Sequence, residues 1–316
     1  MLDLTTIILT YNEELHIRRC LENICPLSKK VYVVDSPSTD RTVDICKEFP
    51  NVEVVVHPYP GNQAAQFNWA LDHLPIDTAW VLRLDADEYL LPELVEEICR
   101  KLPVMPDDVT GVEMRCRHIF MGRWVKRGVY PLILMRLFRT GCGRYDRRLM
   151  DEHLVLDEGR VVLLDHDFCN HSLVSLSAYC TKHLLYARRE AAELLADAYG
   201  LERTSGIPEG THTMGRQAME KRRKKHTYSR LPLFWRSFAY FCYRYIVKGG
   251  FLDGKEGFLF AFIQGWWYRT IVDAKILECR KYIEAAQLPP CSDAEREAVR
   301  TYIRSRWKIS LEVRRG

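Results

Sequence analysis

Short apolar runs alternate with segments of helical periodicity along the first third of the chain. Four runs rich in β-branched residues have the length of strands, and they are Thr5–Leu9, Val31–Val34, Val52–Val56 and Trp80–Leu84. Between them, apolar residues recur every three or four positions, at Ile17, Leu21 and Ile24 and again at Phe67, Ala70, Leu71 and Leu74. Strands that alternate with amphipathic helices are typical of βαβ units. The pattern therefore predicts an α/β fold in which helices flank a mostly parallel sheet.

The pattern changes along the rest of the chain. Apolar runs at Leu132–Met135 and Val161–Leu164 predict further strands, whereas alanine- and leucine-rich sequence after about Leu173 predicts helices. The composition of Thr204–Thr213 is typical of a flexible loop. We therefore divide the chain into an α/β domain over residues 1–172 and a helical region over residues 173–316.

Size and composition are those of a globular protein with reduced thiols. With 316 residues, of which 47% are hydrophobic, the chain is long enough for a large core. Its 46 basic and 42 acidic residues leave a net charge of only +4, which excludes no class of partner. The 11 cysteines lack the paired spacing of a zinc framework, and Met1–Leu4 lacks the basic start of a secretory signal. We therefore expect a cytoplasmic protein.

Polar clusters follow three of the predicted strands. They are Thr10-Tyr11-Asn12-Glu13-Glu14, Asp35-Ser36-Pro37-Ser38-Thr39-Asp40 and Asp85-Ala86-Asp87-Glu88. In a parallel sheet the carboxyl ends of the strands share one edge, where ligands bind. Asp85 and Asp87 suit a hard cation such as Mg²⁺ or Mn²⁺, although an isolated D-x-D is more often a solvated acidic loop. The convergence of three clusters favours a nucleotide or phosphate site.

The ordered motifs resemble those of the inverting family 2 glycosyltransferases, which have the GT-A fold. These motifs are T-Y-N-E-E from Thr10, D-S-x-S-T-D-x-T from Asp35, D-A-D-E from Asp85 and D-E-H from Asp151. Other stretches are similar to the subgroup that acts on lipopolysaccharide core and capsular or exopolysaccharide intermediates, namely Asn68–Leu71, Tyr130-Pro131 with Arg136–Arg139, and Gly250–Gly254. The resemblance covers about residues 4–280. It implies a nucleotide-diphosphate sugar, first of all a UDP-sugar, as the donor.

The resemblance implies a nucleotide pocket formed by Thr10, Tyr11, Asn12, Glu13, Asp35, Ser36 and Asp85. Tyr11 is expected to pack on the base and Glu13 to accept a hydrogen bond from base or ribose. Asn12 is also a fair N-cap for a helix, and Asp40 is the expected N-cap of the helix after the second strand. Relatives often have glycine where this chain has Pro37, so a backbone N–H donor is missing there.

The resemblance also implies a divalent metal at the D-x-D motif. Asp87 is the expected direct ligand of Mn²⁺ or Mg²⁺, and Asp85 is expected to contact ribose or a water of the metal. His171 is a further candidate ligand, although a lone histidine is more often structural. Glu88 serves either the acceptor side or the loop itself. Arg83 either contacts phosphate or pairs with nearby carboxylates.

An inverting transfer needs a base that removes the proton of the acceptor hydroxyl. The resemblance gives this role to Glu152 or Asp151, with Glu152 favoured. The alternative is an acidic surface turn beside the basic stretch Arg144–Arg148. Weaker candidates for phosphate contacts are Arg136, Arg139, Lys182 and Tyr186, of which the two arginines are equally suited to pairing with acidic neighbours.

The segment from about 216 to 272 combines basic and aromatic residues. A basic run at Lys221–Lys225 precedes aromatic residues at helical spacing, namely Phe234, Phe238, Phe241 and Tyr245. Three interpretations are open: a solvated basic face beside a core helix, nucleic-acid binding, and an interfacial membrane helix. No nucleic-acid module accompanies the charge, and aromatic residues with lysines are typical of interfacial helices. We therefore expect a peripheral protein at the inner face of the cytoplasmic membrane, with an anionic membrane surface as partner and no nucleic acid.

The sequence thus predicts an inverting, metal-dependent glycosyltransferase that acts on a lipid-linked, lipopolysaccharide or capsule glycan. One alternative is a nucleotidyltransferase that forms sugar nucleotides, but its typical glycine-rich, basic loop is not seen near the first strand. Another is a membrane-associated sugar-nucleotide or glycan-binding protein without catalysis, which would not need the carboxylates of Asp151 and Glu152. The oligomeric state is left open.

Overall fold

The structure is a computed structural model that describes residues 1–146, 152–203, 215, 219–220 and 227–313. Contacts divide these residues into two compact units. The N-terminal unit comprises residues 1–146, 153–174, 215 and 219–220, and the C-terminal unit comprises residues 152, 175–203 and 227–313. The predicted loop Thr204–Thr213 and the basic run Lys221–Lys225 lie outside the described residues.

A parallel block of four strands forms one half of the main sheet. β1 (Leu2–Thr10) lies between β2 (Ser28–Asp35) and β4 (Trp80–Asp85), and β3 (Val52–Val56) pairs with the far side of β2. All three pairings are parallel. The connections contain α1 (Ile17–Ile24), α2 (Thr42–Cys46) and α3 (Gln63–His73). The predicted α/β fold with flanking helices is therefore confirmed.

The other half of the main sheet mixes parallel and antiparallel pairs. Its strands are β5 (Glu88–Leu90), β6 (Val109–Phe120), β7 (Arg123–Val125), β8 (Leu132–Arg139) and β11 (Arg160–His171), and α4 (Pro92–Lys101) with a 3₁₀ turn (Leu102–Val104) precedes β6. β8 is antiparallel to both β4 and β6, β6 is parallel to β11, and β11 is antiparallel to β5. A second, two-stranded sheet pairs β9 (Gly143–Tyr145) with β10 (Leu154–Leu156). The D-x-D loop thus leads directly into β5, beside the end of β11.

Side chains of β1 enter the core on both faces of the sheet. Leu4 and Ile8 pack with Ile17 of α1, whereas Ile7 packs in a separate cluster with Phe67 of α3. Successive side chains of a strand point to opposite faces, so a strand covered by helices on both sides is apolar throughout. This is why the strands are visible in the sequence as continuous apolar runs.

Helices build most of the C-terminal unit. They are α5 (Leu176–Tyr199), α6 (Trp235–Cys242), a π-helical turn (Tyr243–Val247), a 3₁₀ turn (Gly250–Asp253), α7 (Gly254–Phe260), a π-helical segment (Ala261–Trp267), α8 (Tyr268–Ala285), α9 (Asp293–Tyr302) and a further π-helical turn (Ile303–Trp307). A small sheet pairs β12 (Leu201–Arg203) with β13 (Leu311–Val313). Ala191 and Leu195 of α5 pack in one core with Val272 and Ile276 of α8. Within the described residues, no helix has the length and apolar character needed to span a membrane.

Candidate active site

Three strand ends meet at one edge of the parallel block. In the register of the sheet, Thr10 at the end of β1 lies opposite Asp35 at the end of β2. On the other side of β1, Leu9 lies opposite Asp85 at the end of β4. Because parallel strands end on the same edge, the loops that follow them converge. The motifs that begin at Thr10, Asp35 and Asp85 are therefore neighbours in space.

Asp35 is buried and held by three hydrogen bonds. Its Oδ1 accepts from Thr10 Oγ1 at 2.8 Å and from Ser38 Oγ at 2.6 Å, while its Oδ2 accepts from the Ser38 N–H at 2.8 Å. The Ser36 N–H donates to the Thr10 carbonyl at 2.8 Å, and the Ser36 hydroxyl accepts from Gln66 Nε2 at 3.3 Å. A carboxylate fixed in this way has a defined direction, which recognition of a base or ribose requires.

The loop after β1 is tied to the loop after β2. The Asn12 N–H donates to Ser38 Oγ at 2.8 Å, and the Glu13 N–H donates to Thr42 Oγ1 at 2.8 Å. Tyr11, which precedes these two anchored residues, is 62% exposed. The loop therefore presents an aromatic ring to solvent from a fixed backbone.

The structure differs from the prediction at two helix starts, where Asn12 and Asp40 were the expected N-caps. Asn12 does not cap α1, because an irregular loop continues until the helix begins at Ile17. Asn12 instead has a left-handed backbone with φ of 55°, which asparagine tolerates better than most residues, and its Oδ1 accepts from the Thr39 N–H at 2.8 Å. Asp40 Oδ1 accepts from the N–H of Thr42, the first residue of α2, at 3.0 Å. Asp40 thus caps α2 from one position earlier than the formal N-cap.

Two buried arginines hold the carboxylates of the D-x-D loop. Arg83 Nη2 lies 3.3 Å from Asp85 Oδ1, and Arg136 Nη2 lies 3.2 Å from Asp85 Oδ2. Arg136 Nη2 also lies 2.5 Å from Oε1 of the buried Glu88, whose Oε2 accepts from the Asp85 N–H at 3.0 Å. Of the two roles left open for Arg136, the structure shows pairing with acidic neighbours.

Glu88 shares a crowded site with two other carboxyl groups. Burial raises the pKa of Glu88 to about 8 against the attraction of Arg136, and the charges of Asp85 and Asp87 raise it further. Arg136 and the Asp85 N–H, which face the two oxygens of Glu88, oppose this rise by favouring the charged form.

Asp87 is fixed by residues from β11 and α1. Asn170 Nδ2 donates to Asp87 Oδ1 at 3.0 Å, and the His171 N–H donates to the Asp87 carbonyl at 2.9 Å. Arg19 Nη2 donates to the carbonyl oxygens of Asp87 at 3.2 Å and of His171 at 2.7 Å. Sequence reasoning missed Arg19 and gave Asn170 no role. The only available signal was the position of Asn170 beside the candidate His171.

His171 offers no lone pair to a cation in this arrangement. Arg19 Nη1 lies 3.2 Å from His171 Nδ1, and because a guanidinium only donates, Nδ1 is the acceptor. Burial lowers the pKa of His171, and the charges of Arg19 and His16 lower it further, so the ring is neutral at neutral pH. A neutral ring with Nδ1 as acceptor carries its proton on Nε2. A metal at His171 would therefore require the contact with Arg19 to change.

The two aspartates fit a divalent cation that is also held by a substrate. In the described ranges, no group of three histidine, cysteine, aspartate or glutamate side chains is placed to hold a metal ion. Such a group is not required, because Mg²⁺ and similar hard ions are commonly bound by one or two carboxylates, with water and substrate phosphates in the other positions. Asp85 and Asp87, both partly exposed at a strand end, provide this set.

The remaining predicted site residues lie elsewhere along the chain. Glu152 is partly buried and belongs to the C-terminal unit, and Asp151 lies outside the described residues. Lys182 and Tyr186 are one turn apart on α5, with Lys182 Nζ 5.9 Å from the centre of the Tyr186 ring. Arg139 donates to three backbone carbonyl oxygens, so its contacts are those of a structural residue.

Known proteins are similar to this chain in the part that contains these motifs. Residues 5–156 match the family model described as Glycosyl transferase family 2. An uncharacterised glycosyltransferase of Rickettsia typhi is 40% identical over 98 residues, which are 31% of this chain and 32% of that protein. The lipopolysaccharide core biosynthesis glycosyltransferase LpsC of Rhizobium meliloti is 27% identical over 165 residues, which are 51% of this chain and 59% of that protein. The matches thus span 32% and 59% of the length of these relatives.

Two solved structures share similarity over different parts of the chain. The S. aureus TarS 1–349 structure covers 88% of this chain and 92% of its own, at 16% identity and a TM-score of 0.41. The glucosyl-3-phosphoglycerate synthase of Mycobacterium tuberculosis, in complex with Mn²⁺, UDP and glucosyl-3-phosphoglycerate, covers 36% of this chain and 43% of its own, at 20% identity and a TM-score of 0.30. Both scores are low, so the assignment of function rests on the family model and on the residues of the site.

Proposed function

We propose that this chain is an inverting, metal-dependent glycosyltransferase. The proposal starts from the family 2 match over residues 5–156 and from the similarity to glycosyltransferases. Its donor in this proposal is a nucleotide-diphosphate sugar, with UDP-sugars the first to test. The observation that carries the proposal is the convergence of Asp35, Asp85 and Asp87 at the ends of adjacent parallel strands. This edge offers carboxylates for both ends of such a donor.

The nucleoside end of the donor would bind at the loops after β1 and β2. Asp35 is oriented by Thr10 and would accept hydrogen bonds from base or ribose. The exposed ring of Tyr11 would pack on the base, and Glu13 would accept a further hydrogen bond. Asn12 and Ser36 would line the same pocket from its anchored backbone.

The diphosphate end would lie at the D-x-D loop. Asp87, with Asp85, would hold Mn²⁺ or Mg²⁺, which when bound stabilises the charge that develops on the departing diphosphate. Asn170 keeps the Asp87 carboxylate in one orientation, and Arg83 and Arg136 do the same for Asp85. The arginines hold the carboxylates in place before the donor arrives, so little reorganisation accompanies binding.

A carboxylate would act as the base on the acceptor side. In a single displacement, the acceptor oxygen bonds to the anomeric carbon while the bond to the phosphate oxygen breaks. The nucleoside diphosphate leaves from the opposite face, so the configuration inverts. The acceptor proton passes to Glu152 or, in the alternative assignment, to Asp151.

The acceptor in this proposal is a lipid-linked, lipopolysaccharide or capsule glycan at the inner face of the cytoplasmic membrane. The name of the relative LpsC supports a glycan of the lipopolysaccharide core. The C-terminal unit supports a membrane surface through its exposed apolar side chains, namely Trp235, Tyr243, Ile246, Val247, Phe251 and Leu252. Lys248 and Lys255 are exposed within the same segment and would attract anionic lipid.

The test is a transfer assay with the full chain, a panel of nucleotide sugars and Mn²⁺. We expect release of nucleoside diphosphate that depends on a glycan acceptor and stops when the metal is chelated. Release of diphosphate from a nucleoside triphosphate and a sugar phosphate would identify a nucleotidyltransferase instead. Binding of a nucleotide sugar without acceptor-dependent release would identify a binding protein.

A further inference from the structure

Two arginines and two tyrosines form a compact cluster in the C-terminal unit. Arg244 lies in the π-helical turn after α6 and is 8% exposed, and Arg269 is half-buried at the start of α8. The centre of the Tyr240 ring is 5.6 Å from Arg244 Cζ and 4.3 Å from Arg269 Cζ. The Tyr228 ring is 5.1 Å from Arg269 Cζ and 6.1 Å from the Tyr240 ring. The two guanidinium groups therefore share one aromatic neighbour.

Three buried polar atoms of this cluster have no hydrogen-bond partner. They are Arg244 Nε, Arg269 Nε and the hydroxyl oxygen of Tyr228. Each of these atoms carries a proton to donate. Buried polar groups in native proteins are nearly always hydrogen-bonded, and leaving one unsatisfied is unfavourable, more so when it is charged. Arg244 Nε and Arg269 Nε are therefore buried, charged donors without an acceptor.

A neighbouring arginine, Arg236, has an acidic partner. Arg236 is buried, and its Nε and Nη2 lie 2.8 and 2.5 Å from Asp273 Oδ1. Its Cζ lies 5.1 Å from the same Tyr228 ring. By contrast, no carboxylate in the described part of the chain lies within ion-pair distance of Arg244 or Arg269. Among the described residues, an ion pair therefore holds Arg236 and none holds Arg244 or Arg269.

We propose that Arg244, Arg269 and Tyr228 form a binding site for a phosphoryl group, either a phosphate monoester or a diphosphate. Such a group carries negative charge and several acceptor oxygens, and arginine binds it through paired N–H donors. Arg269 as a whole residue is partly exposed. The site is distinct from the strand-end residues of the N-terminal unit.

The experiment is thermal unfolding of the full chain in sodium pyrophosphate and in inorganic phosphate, each against sodium chloride at equal ionic strength. We expect pyrophosphate to raise the Tm in a saturable manner that chloride does not reproduce. The Arg244→Gln variant should weaken the apparent Kd about tenfold or more, because it removes a charged donor. Tyr228→Phe should weaken it less, because it removes a single hydroxyl.

The control is Arg280→Gln, which removes an exposed arginine from α8, the helix that contains Arg269. This variant should keep the wild-type Kd. If Arg244→Gln does not fold, Tyr228→Phe still tests the proposal, since it deletes one atom. Equal Kd values for wild type and Tyr228→Phe, or a Tm that responds to pyrophosphate only as it does to chloride, would overturn the proposal. Because no sugar nucleotide is present, failure here is separate from failure of the proposed glycosyl transfer.

The source of the phosphoryl group can be distinguished with lipid vesicles. If the site serves a lipid headgroup, Arg244→Gln should reduce binding to phosphatidylglycerol vesicles, and soluble pyrophosphate should compete with them. If the site serves a soluble phosphate, vesicle binding should be equal in the two proteins while the pyrophosphate Kd still differs. Both results support the site. If Arg244→Gln binds both the vesicles and pyrophosphate as tightly as the wild type does, the proposal is contradicted.

Discussion

Arg136 of the N-terminal unit and Arg244 of the C-terminal unit are both buried, yet they are stabilised differently. Arg136 contacts the carboxylates of Asp85 and Glu88, whereas Arg244 lies against the ring of Tyr240. A buried ion pair fixes both groups in one geometry. An aromatic face attracts a cation without accepting hydrogen bonds from its N–H groups in the usual directions. Arg136 therefore orients carboxylates in the N-terminal unit, whereas Arg244 packs against an aromatic ring in the C-terminal unit.

This difference suggests a division of roles between the units. In the N-terminal unit the charged groups surround the ends of parallel strands, where the chemistry of a sugar transfer would occur. In the C-terminal unit the cations accompany exposed aromatic and aliphatic side chains, which suit binding to a membrane or to a phosphate group. The following predictions test whether the two roles separate.

The largest effect is expected from Asp87→Ala. Loss of this carboxylate removes a ligand of the metal, so transfer should fall about a thousandfold. Binding to anionic vesicles should stay at the wild-type level, because the C-terminal unit is unchanged. Asp107→Ala, which removes a fully exposed aspartate of the same unit, should keep both properties. Transfer by Asp87→Ala within tenfold of wild type would contradict the metal role.

Glu152→Gln tests the base. The amide cannot accept the acceptor proton, so the rate of transfer should fall about a hundredfold while the Kd of the donor stays constant. Single-turnover transfer and donor titration measure the two quantities. Asp151→Asn is the matched variant. A loss confined to Asp151→Asn would move the base to that residue, and full activity in both variants would exclude this segment from the chemistry.

Arg136→Gln and Arg244→Gln compare the two kinds of buried arginine directly. Arg136→Gln leaves buried Glu88 without its cation and Asp85 with Arg83 alone, and it should cost about 3–5 kcal/mol in the free energy of unfolding. Arg244→Gln removes contacts with aromatic rings, and no ion pair with a described residue, and should cost about 1–2 kcal/mol. Denaturant unfolding measures both values. Equal costs would show that the two arginines are not stabilised in different ways.

Acid should destabilise the N-terminal unit through Glu97. Burial favours its neutral form, but hydrogen bonds from Asp165, Lys101 and His166 outweigh burial and lower the pKa of Glu97 to about 2. Its contribution to stability is therefore complete above an unfolded pKa of about 4.3 and is lost as the pH falls towards 2. The loss is about 3 kcal/mol, from a pKa difference of about two units. Between pH 5 and about pH 2, the free energy of unfolding of Glu97→Gln should fall less than that of the wild type. The same pH profile in both proteins would contradict the assignment.

The smallest effect is expected from Trp235→Ser. This side chain is 73% exposed, and its insertion into the interface of an anionic vesicle would bury an indole ring. The partition coefficient should fall about tenfold, while transfer to a soluble acceptor should not change. Val104→Ser, which removes a similarly exposed apolar side chain from the N-terminal unit, is the control. Equal partitioning of the two variants would remove this helix from the proposed membrane surface.

Local sequence patterns predicted the elements better than the contacts between them. The apolar runs gave the first four strands, and the spacing of Ile17, Leu21 and Ile24 gave α1. The polar clusters after these strands were correctly predicted to lie together, because a small set of connection rules limits how the strands of βαβ units can be arranged. The cap predicted at Asn12 was wrong, since local propensity cannot tell how far a loop runs before a helix begins.

The partners of Asp87 could not be predicted from its neighbours in the sequence. Arg19, Asp87 and Asn170 come from three distant parts of the chain and meet because β11 pairs with β5. Arg136 was left with two roles because its sequence environment suits both. Only the packing of β8 beside β4 and β6 brings it to Asp85.

The sequence by itself determined the α/β class, the three strand-end motifs and the resemblance that they carry, because these depend on periodicity and on residues that lie close together along the chain. Tertiary structure alone decided which carboxylates are paired, which nitrogen of His171 accepts a hydrogen bond, and which arginines have no acidic partner among the described residues. These properties depend on distances between residues far apart in the chain and on burial, which changes the energy of a charge. A sequence pattern records which side of an element is buried, but not which charge lies across from it.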